Sequence, residues 1–386
     1  MTCLALVLSL ALQTPSALQA HAPHPSSLGH RFWVVDSSGA GDVLDLDEGF
    51  RLAGAGDLLV VWDRGSSYQV PPVRTGAGIS MVGVGPPKIL GVSQFRGLGV
   101  GQDVVLRGIR TSLELEDIDG TVWLEDHGFA ILDGQLEIDA VGVSALVATR
   151  SLLEVPPLVP WGNDAVRVER GEFYMYESSA RGQDGRVCAG FGPPVGGDAL
   201  LLVSAMGAVF DSVLVGGNAA SQWGPFFSCD PVFGTEGDAY RGTNGSLLFE
   251  LGSTFDGDVV GPSQTILGQP RSLQATYLIE EGSLVRLTVT GPPGDLVSVL
   301  RSQRLEVSFE PILYGTNLVG PSPEISFHGT LPASGQMDID VVLPPLPAGR
   351  EFQRWVFQSL QFDADNAYLS SGSVTHVIER GRLPFP

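Results

Sequence analysis

Three aspartates recur at one place in an internal repeat. The segments GNDAVRVERGEFYMYESS from Gly162, GGDALLLVSAMGAVFDSV from Gly196 and EGDAYRGTNGSLLFELGS from Glu236 align without gaps and bring Asp164, Asp198 and Asp238 into register. Gly171, Ala205 and Gly245 follow seven positions later, and Met175, Val209 and Phe249 hold the apolar position eleven after each aspartate. Such a ladder is a Ca²⁺ candidate, because that hard cation takes about six to eight oxygen ligands. The rival role is structural: an aspartate entering a strand serves as a turn or Asx cap. Recurrence at one repeat position favours the cap, since a catalytic carboxylate has a unique place.

A second concentration of titratable groups is LELEDIDGTVWLEDHG, with Glu114, Glu116, Asp117, Asp119, Glu125, Asp126 and His127, preceded by Arg107 and Arg110. Paired carboxylates can hydrolyse a glycosidic bond. From this stretch Glu116, Asp117, Asp119, Asp126 and Arg110 are the groove candidates. Against them stands the charge balance: 43 acidic and 22 basic residues give −21, and on so acidic a chain a run of carboxylates is the expected solvated face. The same charge repels phosphate backbones, which disfavours nucleic acid as a partner. No GxSxG, HExxH, P-loop or βαβ GxGxxG motif is present, and the six histidines are scattered or fall in the Pro/Ser-rich segment from His21 to His30.

These residues have to be held by β-structure. Hydrophobic residues are 43% and charged residues 17%, with 50 Gly and 27 Pro, a composition for many turns and short strands. From about Gly91 to Asp258 short β-rich segments succeed one another, among them DVVLRGI, TVWLED, LEIDAVGV, AVRVERG, ALLLVSAMG and SLLFELG. The repeat favours stacked parallel coils over an antiparallel sandwich. Equivalent residues of successive coils then lie about 4.8 Å apart. Cys188, ten residues before Asp198, and Cys229, nine before Asp238, sit in the insertions that lengthen the second and third copies, and that spacing suits a disulfide. Two buried free thiols are the alternative. Trp161, Phe191, Trp223, Phe226 and Phe227 are the aromatics of these insertions, available for packing or for stacking on sugar.

Ahead of the coils, Asp45 with Glu48 three positions on forms a capping box for a short helix. Leu46, Phe50 and Ala53 share its apolar face, and Gly54 and Gly56 stop it. Beyond Leu273 the pattern changes to longer alternating strands, SLVRLTVTG, LEVSFEPIL and QMDIDVVLPPL, separated by Pro/Gly turns as in an antiparallel β-sandwich.

The strand Phe32 to Asp36 (FWVVD), the short helix, the Gly-Asp strand from Gly56 to Trp62 and the stretch GAGISMVGVGPPKILG from Gly76 to Gly91 resemble the capped start of secreted right-handed parallel β-helix proteins, the broad pectate-lyase-like superfamily, of bacterial type. The resemblance implies a right-handed β-helix with a capping helix and a sugar groove along one parallel sheet. It also implies carboxylates from neighbouring coils holding Ca²⁺ beside an Arg or Lys base, or paired aspartates in polygalacturonase-like members. The GHG and RIK signatures of the latter are absent, and the acidic stretch spans about one coil where the family draws ligands from several. PLPAGREFQRWVFQSLQFDADNAYLSSG is similar to the closing segment of small C-terminal sandwiches on exported bacterial proteins.

Residues Met1 to Ala20 read as a signal peptide whose apolar run, Leu4 to Leu12, is too short to cross a bilayer. The expected layout is a leader (1–20), a disordered tail (21–30), a right-handed parallel β-helix (31–265) and a β-sandwich (266–386), without a transmembrane segment. The expected role is that of an exported, non-catalytic binding or structural module with a polysaccharide or cell-surface component as partner and no cofactor, Ca²⁺ being the one ion in question. The alternatives are a polysaccharide lyase or glycoside hydrolase working in the groove and, third, an adhesin-like part of an envelope assembly.

Overall fold

A computed structural model describes residues 31–63, 65, 67–69, 74–85, 87–127, 138–154, 163–184, 196–218 and 235–383. The expected leader and tail, Cys188 and Cys229, and the insertion aromatics Trp161, Phe191, Trp223, Phe226 and Phe227 lie outside the described residues.

The described residues are all-β, 59% strand and 3% helix, and the N-terminal part of the chain is a stack of parallel strands. One ladder runs from Phe32–Val35 through Leu58–Trp62, Ile79–Val84 and Val104–Arg107 to the second halves of Arg110–Glu125 and Ile138–Thr149. It continues through Glu172–Tyr176, Met206–Phe210, Leu247–Leu251 and Ser263–Thr265. A second ladder takes Lys88–Leu98, the first halves of the same two long strands, Val166–Glu169, Leu200–Val203, Tyr240–Thr243 and Val259–Val260. A third joins Leu152–Glu154, Ser179–Arg181, Val213–Val215 and Thr254–Asp256. Three parallel ladders threaded by the same coils are compatible with a β-helix. Leu59, Met81, Leu106, Leu124, Leu146, Phe173 and Val209 of the first ladder meet Phe95, Leu115, Val168 and Leu202 of the second in one buried core, each such side chain contributing roughly 1.5–3 kcal/mol.

The corners between ladders explain the register. Asp117, Gly142, Arg170, Ser204 and Asn244 all have positive φ, as do Gly108, Asp126, Arg150, Glu177, Asp211 and Gly252. In the second set each N–H from Gly108 to Asp211 reaches the next coil's carbonyl, as in Asp126 to Thr149 O at 3.1 Å and Glu177 to Phe210 O at 3.0 Å. An ungapped repeat predicts Val209 opposite Phe249, but the register there is Val209 to Glu250, while Leu200 still faces Tyr240. The Asn244–Gly245 turn, φ 54° and 82°, takes up one extra residue. Ser246, not Gly245, is therefore the counterpart of Ala205, whose N–H it accepts at 3.1 Å.

The helix Leu46–Leu52 is capped as its sequence predicts, Asp45 accepting the Glu48 N–H at 2.7 Å. Its end is held by more than glycine. The Arg74 guanidinium donates to the carbonyls of Phe50, Ala53 and Gly54 at 3.0, 3.1 and 3.0 Å, supplying the donors that a helix C-terminus lacks.

After Gly268 the strands become mainly antiparallel. A three-stranded sheet (Ser272–Ala275, Leu284–Thr290, Gln336–Val342) faces a five-stranded one (Leu278–Glu280, Ala367–Ile378, Phe352–Phe362, Leu296–Ser302, Glu324–Thr330) across a core of Leu273, Leu287, Val297, Val299, Trp355 and Phe357. These C-terminal strands also cover the outer face of the first parallel ladder. Val105, Trp123, Val147, Tyr174 and Phe210 pack with Leu318, Val356 and Val374, and Phe32, Leu58, Val60 and Val82 with Phe352 and Ile378. From Leu58–Trp62 to Met206–Phe210 that ladder is largely buried on both faces, which is why LLVVW and FYMY are continuously apolar.

Candidate functional site

The three repeated aspartates stand directly over one another. Asp198 N–H donates to Asp164 Oδ1 at 2.8 Å, and Asp238 N–H donates to Asp198 Oδ1 at 2.8 Å. The Asp164 and Asp198 carboxylates therefore each cap the next coil. Arg241 closes the ladder with Nε 3.0 Å from Asp198 Oδ2 and 2.8 Å from Asp238 Oδ2. Burial, with the charges of Asp164 and Asp238 added, pushes the Asp198 carboxyl up to about 6. Burial opposes charge on Arg241 too, but the surrounding carboxylates outweigh it and hold the guanidinium above its ordinary value. A guanidinium thus occupies the place a cation would take, and the ladder does not fit Ca²⁺. Among the described residues no three His, Cys, Asp or Glu side chains group as a metal site.

The sign of the Asp198 shift sets an expectation. With a folded pKa raised above the unfolded value, its stabilising contribution is complete below about 4 and is lost as pH rises through about 6. Asp198→Asn keeps the Oδ1 acceptor and removes the titration. Thermal melts should find the variant about 1 kcal/mol more stable than wild type at pH 8, with the advantage gone at pH 4; equal curves at both values would refute the assignment.

The groove candidates are dispersed. Glu116 is half-exposed and pairs with Arg96 Nε at 3.0 Å, the same guanidinium that binds Glu114. Asp117 is an exposed positive-φ corner. Asp119 and Arg110 are exposed. Asp126 lies at a different corner, 3.4 Å from Arg107 Nε and 3.3 Å from Arg150 Nε.

The acidic stretch is also not uniformly solvated. Glu125 and His127 are buried, and Glu125 is the hub of a network between the parallel stack and the C-terminal strands. Its carboxylate meets Arg107 Nη2 at 3.1 Å and Arg150. It also accepts the Val374 N–H at 3.0 Å and the Ser373 hydroxyl. Arg107 donates onward to Ala275 O at 3.0 Å, Ser373 Oγ at 3.2 Å and Val374 O. Burial lowers the Arg107 pKa against the pull of Glu125 and Asp126. For Arg150 burial is outweighed by Glu125, Asp126 and Glu177, and its pKa is raised. Arg354 adds a 2.7 Å pair to Asp103 across the same seam. His127 donates from Nε2 to Thr111 O at 2.9 Å, and burial brings its pKa down to about 4.

One ladder escaped sequence reading. Ser151, Ser178, Ser212 and Ser253 follow the positive-φ corners, and each hydroxyl accepts the N–H of the coil before it: His127 to Ser151 at 3.2 Å, Ser151 to Ser178 at 2.8 Å, Ser178 to Ser212 and Ser212 to Ser253 at 3.2 Å. The signal is there in RSLLE, ESSAR, DSVLV and GSTFD, a serine two before an inward apolar residue. Its varying intervals hide it from a fixed-period search.

The outer face of the second ladder is left half-exposed and carries Arg96, Glu114, Glu116, Arg167, Glu169 and Arg241 on four of its strands. No family model matches the chain, and no curated protein matches it. No helix among the described residues is long and apolar enough to cross a membrane.

Proposed function

We propose that this is an exported, right-handed parallel β-helix protein with a C-terminal β-sandwich, acting as a non-catalytic binding or structural module toward an extracellular polysaccharide or cell-surface component. The helix Leu46–Leu52 is its N-terminal cap. The observation that carries the reading is where the carboxylates go. Among the described residues, three pairs of carboxylates are joined by arginine: Arg96 for Glu114 and Glu116, Arg241 for Asp198 and Asp238, Arg107 and Arg150 for Glu125 and Asp126. A general acid or base must offer a free oxygen to its substrate, whereas each of these carboxylates is already engaged by a guanidinium. Of these, the half-exposed Arg96 with Glu114 and Glu116 presents donors and acceptors that suit hydroxylated ligands.

Purified protein screened against uronate and neutral polysaccharides, with Ca²⁺ and with EDTA, should retain a ligand without releasing new reducing ends or unsaturated products. Substitution of Arg167 and Glu169 by alanine should weaken retention without changing the melting temperature. Cleavage of any of these polymers would overturn the non-catalytic reading and restore the lyase or hydrolase alternative.

A further inference from the structure

The strand Glu324–Thr330 is the outer edge of the five-stranded sheet, hydrogen-bonded to Leu296–Ser302 on one side only. An open edge is a template for another strand, and proteins guard such edges with Pro, Lys or a cover. EISFHGT holds neither Pro nor Lys. Side chains alternate along it: Ile325 and Phe327, 59% and 66% exposed, share one face. Ser326 and His328 share the other and touch, Oγ to Nε2 2.8 Å. The pairing skips His328, which bulges between the Val297–Gly329 and Ser298–Phe327 pairs, while Glu324 to Phe327 keep regular register with Arg301 to Ser298. The apolar surface continues beside the strand. Arg301, paired to Glu324 through Nε at 2.9 Å, also donates to Val342 O at 3.2 Å. Val342 and its cross-strand partner Leu284 are both exposed.

We infer that this edge pairs antiparallel with the same edge of a second copy of the chain, about a two-fold axis at Ser326, to form a homodimer whose sheet has doubled. The occupant follows from the strand's self-complementarity. A two-fold at Ser326 sets Glu324 opposite the second copy's His328 and Ile325 opposite its Phe327. The acid then meets an imidazole and the aromatic meets a β-branched residue, both favourable cross-strand pairs, with no like charges opposed. A two-fold axis also makes one patch its own partner. Glu324 approaches the dyad already neutralised by Arg301, which limits the repulsion expected from two acidic chains at ordinary salt.

Sedimentation of the full chain between about 1 and 100 µM should find a reversible dimer with a dissociation constant in that range. Phe327→Glu should raise the constant about 100-fold or more, and so should His328→Glu, which sets two acids face to face. His328→Lys should leave the dimer intact or tighten it. Both positions are at least partly exposed, and unchanged melting temperatures would show that each variant folds. A wild-type chain that stays monomeric throughout this range, or a dimer that survives both glutamate substitutions, would overturn the inference. Polysaccharide retention is measured separately and bears only on the function proposed above.

Discussion

Glu125→Gln should cost about 3–5 kcal/mol of stability, the usual effect of removing one member of a buried ion pair. The carboxylate is inaccessible to water and answers four donors outside its own strand: Arg107, Arg150, Ser373 and the Val374 backbone. An amide has one oxygen for these donors and turns an N–H toward a guanidinium. Arg107 is buried too and would keep its charge with only the corner residue Asp126 nearby. The damage arises from the orphaned charge. The double variant Glu125→Leu with Arg107→Met should therefore recover much of the loss, because replacing a buried pair with apolar groups is often close to neutral. Urea denaturation of wild type, single and double variants measures this directly. A single variant within about 0.5 kcal/mol of wild type would show that the network does not fasten the C-terminal strands to the stack.

That network marks the limit of what the residues alone reveal. The parallel stacking was legible, because Asp164, Asp198 and Asp238 recur with the spacing at which their backbones meet. So was the helix start at Asp45, where the capping signal is local. The slip at Asn244–Gly245 was not: one extra turn residue changes every partner after it, yet hardly alters the apolar pattern. The burial of Glu125 was equally hidden, since a carboxylate among carboxylates looks solvated until strands more than two hundred residues away are laid over it. The long apolar runs were the available clue. A sheet needing only one buried face has no use for LLVVW, and its second apolar face called for a cover.

Acid should loosen this seam first. His376 lies fully buried beside Arg354 and Arg107, with neither ring nitrogen hydrogen-bonded. Burial first, and then the two arginines, bring its pKa down to about 3. His127, buried within the stack, is held at about 4. Both values lie below the unfolded one near 6.5, so between them the unfolded chain binds more protons than the folded one. Stability is complete above about pH 6.5 and falls as pH drops toward the folded values, by roughly 1.4 kcal/mol per unit for each histidine. At pH 4.5 the two together forfeit about 5 kcal/mol, a large share of the ordinary 5–15 kcal/mol of a folded domain. Asp198, with its raised pKa, works in the opposite direction but through one partly solvated group, and it only blunts the loss. Replacing His376 by Leu removes the more strongly shifted of the two histidines and leaves an apolar side chain among Phe352 and its neighbours. Melting temperatures at pH 7.5 and 4.5 should therefore differ less in His376→Leu than in wild type. An equal difference in both would mean that His376 is not what makes the seam acid-sensitive.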